Sequence, residues 1–153
     1  MVATATIQHL FARSERRMVE YDSDDALNLV DLSLPQGAST ELLPVVQFRR
    51  FVAGLIRTVG TGTVSAFSIV AATSAAGEGV TAVVSHALGS APDAINDQLW
   101  LETTIEQVRE VVSRATHVGI QVQLATASDE AIFYFERTEP RHPRADLTTD
   151  FIS

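Results

Sequence analysis

The sequence predicts a mainly β fold of the α+β class: an antiparallel β-sandwich or barrel-like domain with one or two helices and an extended arm at each end. Three observations predict it. From Val64 onward, short apolar segments recur between clusters of Gly, Ser, Asp and Pro that favour turns. One stretch, beginning at Thr104, carries a full helix-start signal. Both chain ends are polar, and the second is broken by Pro140 and Pro143. The 153 residues suit one domain with its own core. The expected division is an N-terminal arm over 1–19, a β-rich domain over 20–137 and a C-terminal tail over 138–153.

Taken in order, the first arm carries Arg13, Arg16 and Arg17, followed at once by the acidic Glu20, Asp22, Asp24 and Asp25. Asp22-Ser23-Asp24-Asp25 reads as a turn, because these side chains bond nearby backbone amides. Ala26 to Leu34 reads as a strand stopped by Pro35-Gln36-Gly37. Over 44–59, Val45, Phe48, Val52, Leu55, Ile56 and Val59 follow helical spacing, with Pro44 at the start and Gly60 at the end, so the spacing predicts a helix. The β-branched and aromatic content of the same segment would also serve a long strand.

Val64 to Ala72 and Val80 to His86 read as two strands able to pair as a hairpin across Ser74-Ala75-Ala76-Gly77-Glu78-Gly79. Gln98 to Glu102 reads as a short strand, with Trp100 expected in the core. Thr104 and Gln107 form a capping box for a helix whose apolar stripe is Ile105, Val108 and Val112, with Glu110 and Arg114 expected to pair on its surface. Val118, Ile120, Val122 and Leu124 alternate with Gly119, Gln121 and Gln123, and Ala131 to Glu136 is an aromatic strand. These last two predict an antiparallel hairpin across Thr126-Ala127-Ser128-Asp129-Glu130.

Composition excludes whole classes of chemistry. The chain has no Cys, so disulfides and thiolate zinc sites are out, and a reducing compartment fits. All 11 basic residues are Arg, which removes Schiff-base chemistry, a phosphate-loop lysine and a lysine base. A net charge of −8 argues against a nucleic-acid partner. No apolar run is long enough to span a bilayer, and the start is too polar for a signal-peptide core, so an intracellular product is expected.

No nucleophile elbow is present, and Gly60-Thr61-Gly62-Thr63 reads as a tight turn rather than a phosphate cradle. His9, His86, His117 and His142 are scattered. A converging set of His86, His117 and Glu102 would be needed for a metal-dependent or small-molecule-binding β-barrel, the alternative of a different class. The expectation is a protein with no catalytic residues, cofactor or metal.

Phe67-Ser68-Ile69-Val70-Ala71-Ala72, Val83-Val84-Ser85-His86-Ala87, Ser90-Ala91-Pro92-Asp93-Ala94 and Leu99-Trp100-Leu101-Glu102 together resemble small virion proteins of tailed bacteriophages. So do His117-Val118-Gly119-Ile120 and Ala127-Ser128-Asp129-Glu130-Ala131 before the aromatic strand. The similarity covers about residues 60–137 and is one of strands and turns. It implies a structural virion component assembled in the host cytoplasm, most of all a capsid decoration (cement) protein. Such a protein binds the outside of the shell and bridges major capsid subunits, often as a trimer. A tail or head–tail connector subunit is the other virion role. In this reading Arg13, Arg16 and Arg17 of the first arm, and Arg141, Arg144 and Phe151 of the tail, are the candidate partner-binding residues.

Overall fold

A computed structural model of the chain describes residues 15–22, 26–32, 42–60, 64–86 and 94–140. Its elements are β1 (Glu15–Asp22), β2 (Asn28–Leu29), β3 (Leu43–Pro44), β4 (Phe48–Val59), β5 (Val64–Ala72), β6 (Thr81–Ser85), β7 (Gln98–Thr104), α1 (Ile105–Val111), β8 (His117–Leu124) and β9 (Glu130–Pro140). All pairings are antiparallel and build two sheets. One has four strands in the order β1-β9-β4-β7. The other has the order β2-β8-β5-β6, with β3 also paired to β8.

The sheets pack face to face because each strand turns one apolar set inward. From the four-stranded sheet come Val19, Phe51, Ala53, Leu55, Ala131, Phe133 and Phe135. From the other come Val64, Phe67, Ile69, Ala71, Val118, Ile120, Val122 and Leu124. Phe67 and Phe133 meet across the layers with ring centroids 6.0 Å apart. α1 connects β7 to β8, packs on β4, β6 and β7, and seats Ile105 and Val108 in the same core. Its start is the expected capping box: the Gln107 amide N–H donates to Thr104 Oγ1, and the Thr104 amide N–H donates to Gln107 Oε1. The expected β5–β6 hairpin and the strand at 98–102 are present.

Several expectations are corrected. Residues 48–59 are a strand, not a helix. β4 is paired on both sides, and Val52 and Ile56 on its outer face are also partly covered, so apolar residues on two faces imitate a helical stripe. β8 and β9 do not form a hairpin; they lie in different sheets, and the turn at 125–129 carries the chain from one layer to the other. Period-two alternation reports a one-sided strand, and it is the same for a hairpin and for a sandwich corner.

Residues 15–19 belong to β1, paired along its length with β9, and β9 runs on to Pro140, so both expected arms lose their domain-proximal residues to the sheet. α1 ends at Val111, which leaves Arg114 beyond the helical geometry an i,i+4 pair with Glu110 requires. Trp100 is not in the core: it is 49% exposed on the outer face of the four-stranded sheet. The turn at Ser23-Asp24-Asp25 lies outside the described residues, and of the expected strand over 26–34 only Asn28–Leu29 is strand, with 33–34 outside the described residues.

At the β8–β9 corner, Arg57 is 0% and Asp129 1% exposed. Arg57 Nη2 sits 3.1 Å from Asp129 Oδ1, and Asp129 Oδ2 accepts from the Thr126 amide. Gly60, at φ 101°, lies against this pair; a Cβ there would fall 1.8 Å from Asp129 Oδ1. The turn between the sheets is therefore anchored by a buried ion pair that only a glycine can neighbour.

Candidate interaction surfaces

The outer face of the four-stranded sheet is built by β-pairing register. Met18 pairs with Tyr134, Tyr134 with Gly54, and Gly54 with Trp100, so these four form one row across all four strands. One step along the strands lies the row Arg16, Glu136, Val52, Glu102; one step the other way lies Glu20, Ile132, Ile56, Gln98. Gly54 makes the central row possible. The Trp100 ring lies flat over it, and a Cβ would meet that ring at 2.4 Å. Trp100 packs edge-on against Tyr134, centroids 5.5 Å apart, and its indole N–H donates to Gln98 Oε1 at 3.1 Å.

Met18, at the other end of the row, is 66% exposed. The result is a flat apolar and aromatic strip bordered by charge. Arg16 lies 3.6 Å from Glu136, and Arg50 lies 3.0 Å from Glu102. Tyr134 O–H donates to Glu136 Oε2. Burial, that bond and the Glu136 charge together push its pKa from 10.0 to about 12, against the opposing charge of Arg16.

A second surface lies at the end of the sandwich where β1 starts and β9 finishes. An open groove of about 570 Å³ is lined there by Glu15, Arg17, Leu42, Leu43, Pro44, Val46, Gln47, Phe48, Ala75, His117 and Arg137. Arg137 is 6% exposed and is its best-anchored side chain. It donates to the Pro44 carbonyl at 2.7 Å, donates to the Glu15 carboxylate, and stacks 4.7 Å over the Phe48 ring. Burial lowers the Arg137 pKa and the Glu15 carboxylate opposes that shift. His117 bonds Thr116 Oγ1 through Nδ1 at 2.8 Å, and its pKa is lowered first by burial and then by the Arg137 charge.

Of the expected partner-binding residues, Arg13, Arg141, Arg144 and Phe151 lie outside the described residues. Arg16 and Arg17 are both on β1 but on opposite faces. Arg16 is exposed on the outer face, whereas Arg17 points toward the groove, 3.6 Å from Glu15. Glu102 is on the outer face of one sheet while His86 and His117 belong to the other layer. Among the described residues no three His, Cys, Asp or Glu side chains group as metal ligands would.

Sequence reading missed Arg137, Met18 and the exposure of Trp100. Extending the inward alternation Ala131, Phe133, Phe135 by two residues points to Arg137. The outward set of β1 cannot be read until the strand itself is recognised. No family model matches the chain, and no curated protein matches it.

Proposed function

We propose that this chain is a structural component of a virion, a capsid decoration protein that binds the outside of the shell and bridges major capsid subunits. The observation that supports it is the row Met18, Tyr134, Gly54, Trp100 on the outer face of the four-stranded sheet. A sheet face turned to water normally carries polar side chains. This one carries Met, Tyr and Trp, residue types enriched in protein–protein contacts, on a rigid two-layer scaffold. A passive building block needs such a face to be presented repeatedly and in a fixed orientation. The resemblance read from the sequence over residues 60–137 suggests the setting, and the groove end, where Arg17 and Arg137 pair with Glu15, gives a second, charged contact region.

Quantitative mass spectrometry of purified particles tests this reading. A decoration protein is present at a copy number comparable to that of the major capsid protein. A copy number no greater than that of a single ring assigns the chain to the connector or tail. Its absence from particles overturns the virion role.

A further inference from the structure

We infer that the groove at the end of the sandwich seats the chain's own C-terminal segment, with Asp150 paired to Arg17 and Arg137 and Phe151 packed against Val46 and Pro44. The inference goes beyond the proposed function and holds with or without a particle.

Arg17 and Arg137 share one carboxylate, that of Glu15. Arg137 is held by it and by the Pro44 carbonyl. Arg17 is held less well. Its Nη2 lies 3.6 Å from Glu15, and its Nη1 donates only to the carbonyl of its neighbour Arg16, at 3.1 Å. The Nε of each arginine is buried with no hydrogen-bond partner among the described residues. Two guanidinium groups against one carboxylate leave a positive charge over, in a chain whose net charge is −8. One further carboxylate balances the site through charge-assisted hydrogen bonds.

The groove also has an apolar side. Glu15, Arg17 and Arg137 belong to the four-stranded sheet, whereas Leu43 and Pro44 belong to the other layer. Val46 stands at the rim, 65% exposed. It sits on a tight turn in which the Phe48 amide donates to the Val45 carbonyl at 3.2 Å and Gln47 takes φ 74°, uncommon for a residue with a side chain. Charge on one side and apolar surface on the other suit an extended segment in which an acid is followed at once by an apolar residue, because neighbouring side chains then point to opposite sides.

Residues 141–153 contain that pair twice, as Asp146-Leu147 and Asp150-Phe151, and the aromatic ring of the second offers the larger surface to bury. Residues 1–14 precede β1, which starts at this same end, but they contain no Asp or Glu. β9 itself delivers the chain to the groove: Pro140 pairs with Phe48, whose ring carries the Arg137 guanidinium. Pro140 and Arg137 are about 10 Å apart along the strand. The chain from Pro140 to Asp150 reaches up to ~33 Å. So short a tether sets an effective concentration in the millimolar range, and a contact too weak to hold a free peptide is filled within one chain.

Disulfide trapping in the full chain tests this, since the protein has no cysteine of its own. One variant carries Val46→Cys with Thr149→Cys. The control carries Arg16→Cys with Thr149→Cys, because Arg16 pairs with Glu136 on the outer face and is also close to Pro140 along the sheet. In a glutathione redox buffer, the first pair is expected to close within one chain about tenfold faster than the control or more. Adding Asp150→Arg brings it down to the control rate, and adding Arg17→Asp to that chain restores much of the difference. Phe151→Ser also slows closure. Asp150→Arg and Phe151→Ser leave every described contact of the sandwich in place, so their effects do not come from unfolding it. Equal rates for the two pairs overturn the inference. So does a disulfide formed between chains, closure indifferent to Asp150→Arg, or a loss that Arg17→Asp does not reverse. None of these outcomes bears on the copy number in particles, so the two readings fail separately.

Discussion

Arg57 and Asp129 are the costliest residues to have placed where they are. Two charged side chains at 0% and 1% exposure give up nearly all hydration, and their mutual pairing offsets part of that cost. Removing one partner breaks a buried ion pair beside the β8–β9 corner. Asp129→Asn should lower the unfolding free energy by about 3–5 kcal/mol in denaturant titration. Gly60→Ala should also destabilise, since it adds a Cβ into the Asp129 carboxylate at a backbone angle that L side chains rarely adopt.

Tyr134 makes a prediction of the opposite kind, one about pH. Its pKa rises from 10.0 to about 12 on folding, so the native state favours the protonated phenol. That contribution is complete below pH 10.0 and is lost as pH rises toward about 12. The chain has 2 tyrosines, and ultraviolet titration should show one of them ionising well after the ordinary range, a component that Tyr134→Phe removes.

At the scale of elements, β4 organises the four-stranded sheet. It pairs with β9 on one side and β7 on the other, while β1 and β7 are edges among the described residues. Amide exchange should therefore be slowest in β4 and β9 and faster in β1, which pairs on one side only among the described residues. Equal protection of β1 and β4 would contradict this order.

The same strand shows where sequence reading stops. α1 was legible because Thr104 and Gln107 cap it through side chains three residues apart, a purely local device. β8 was legible because its two faces differ. β4 was not, since Val52 and Ile56 are covered on the face that should be polar, and only the neighbouring strands explain why. The β8–β9 hairpin failed for a related reason: the corner that crosses between the sheets is tied by the buried pair of Asp129 with Arg57, a residue 72 positions earlier in the chain. The outer-face row needs four strands in register before Met18, Tyr134 and Trp100 are seen as neighbours, and no spacing along the chain contains that information.

As a whole molecule, the described chain is a two-layer sandwich with an apolar row on one outer face and a charged groove at its end. A lone Trp is placed where it reports on the first. Trp100 is the single tryptophan of the chain and lies at one end of the central row, half exposed. If that face is a contact surface, collisional quenching of its fluorescence should be efficient in dilute protein. Quenching should then fall when the protein is bound to shells that lacked it, and Met18→Glu, which weakens that contact, should keep it high. Quenching that is the same for free and shell-bound protein, with Trp100 equally open to solvent in both, would contradict the account.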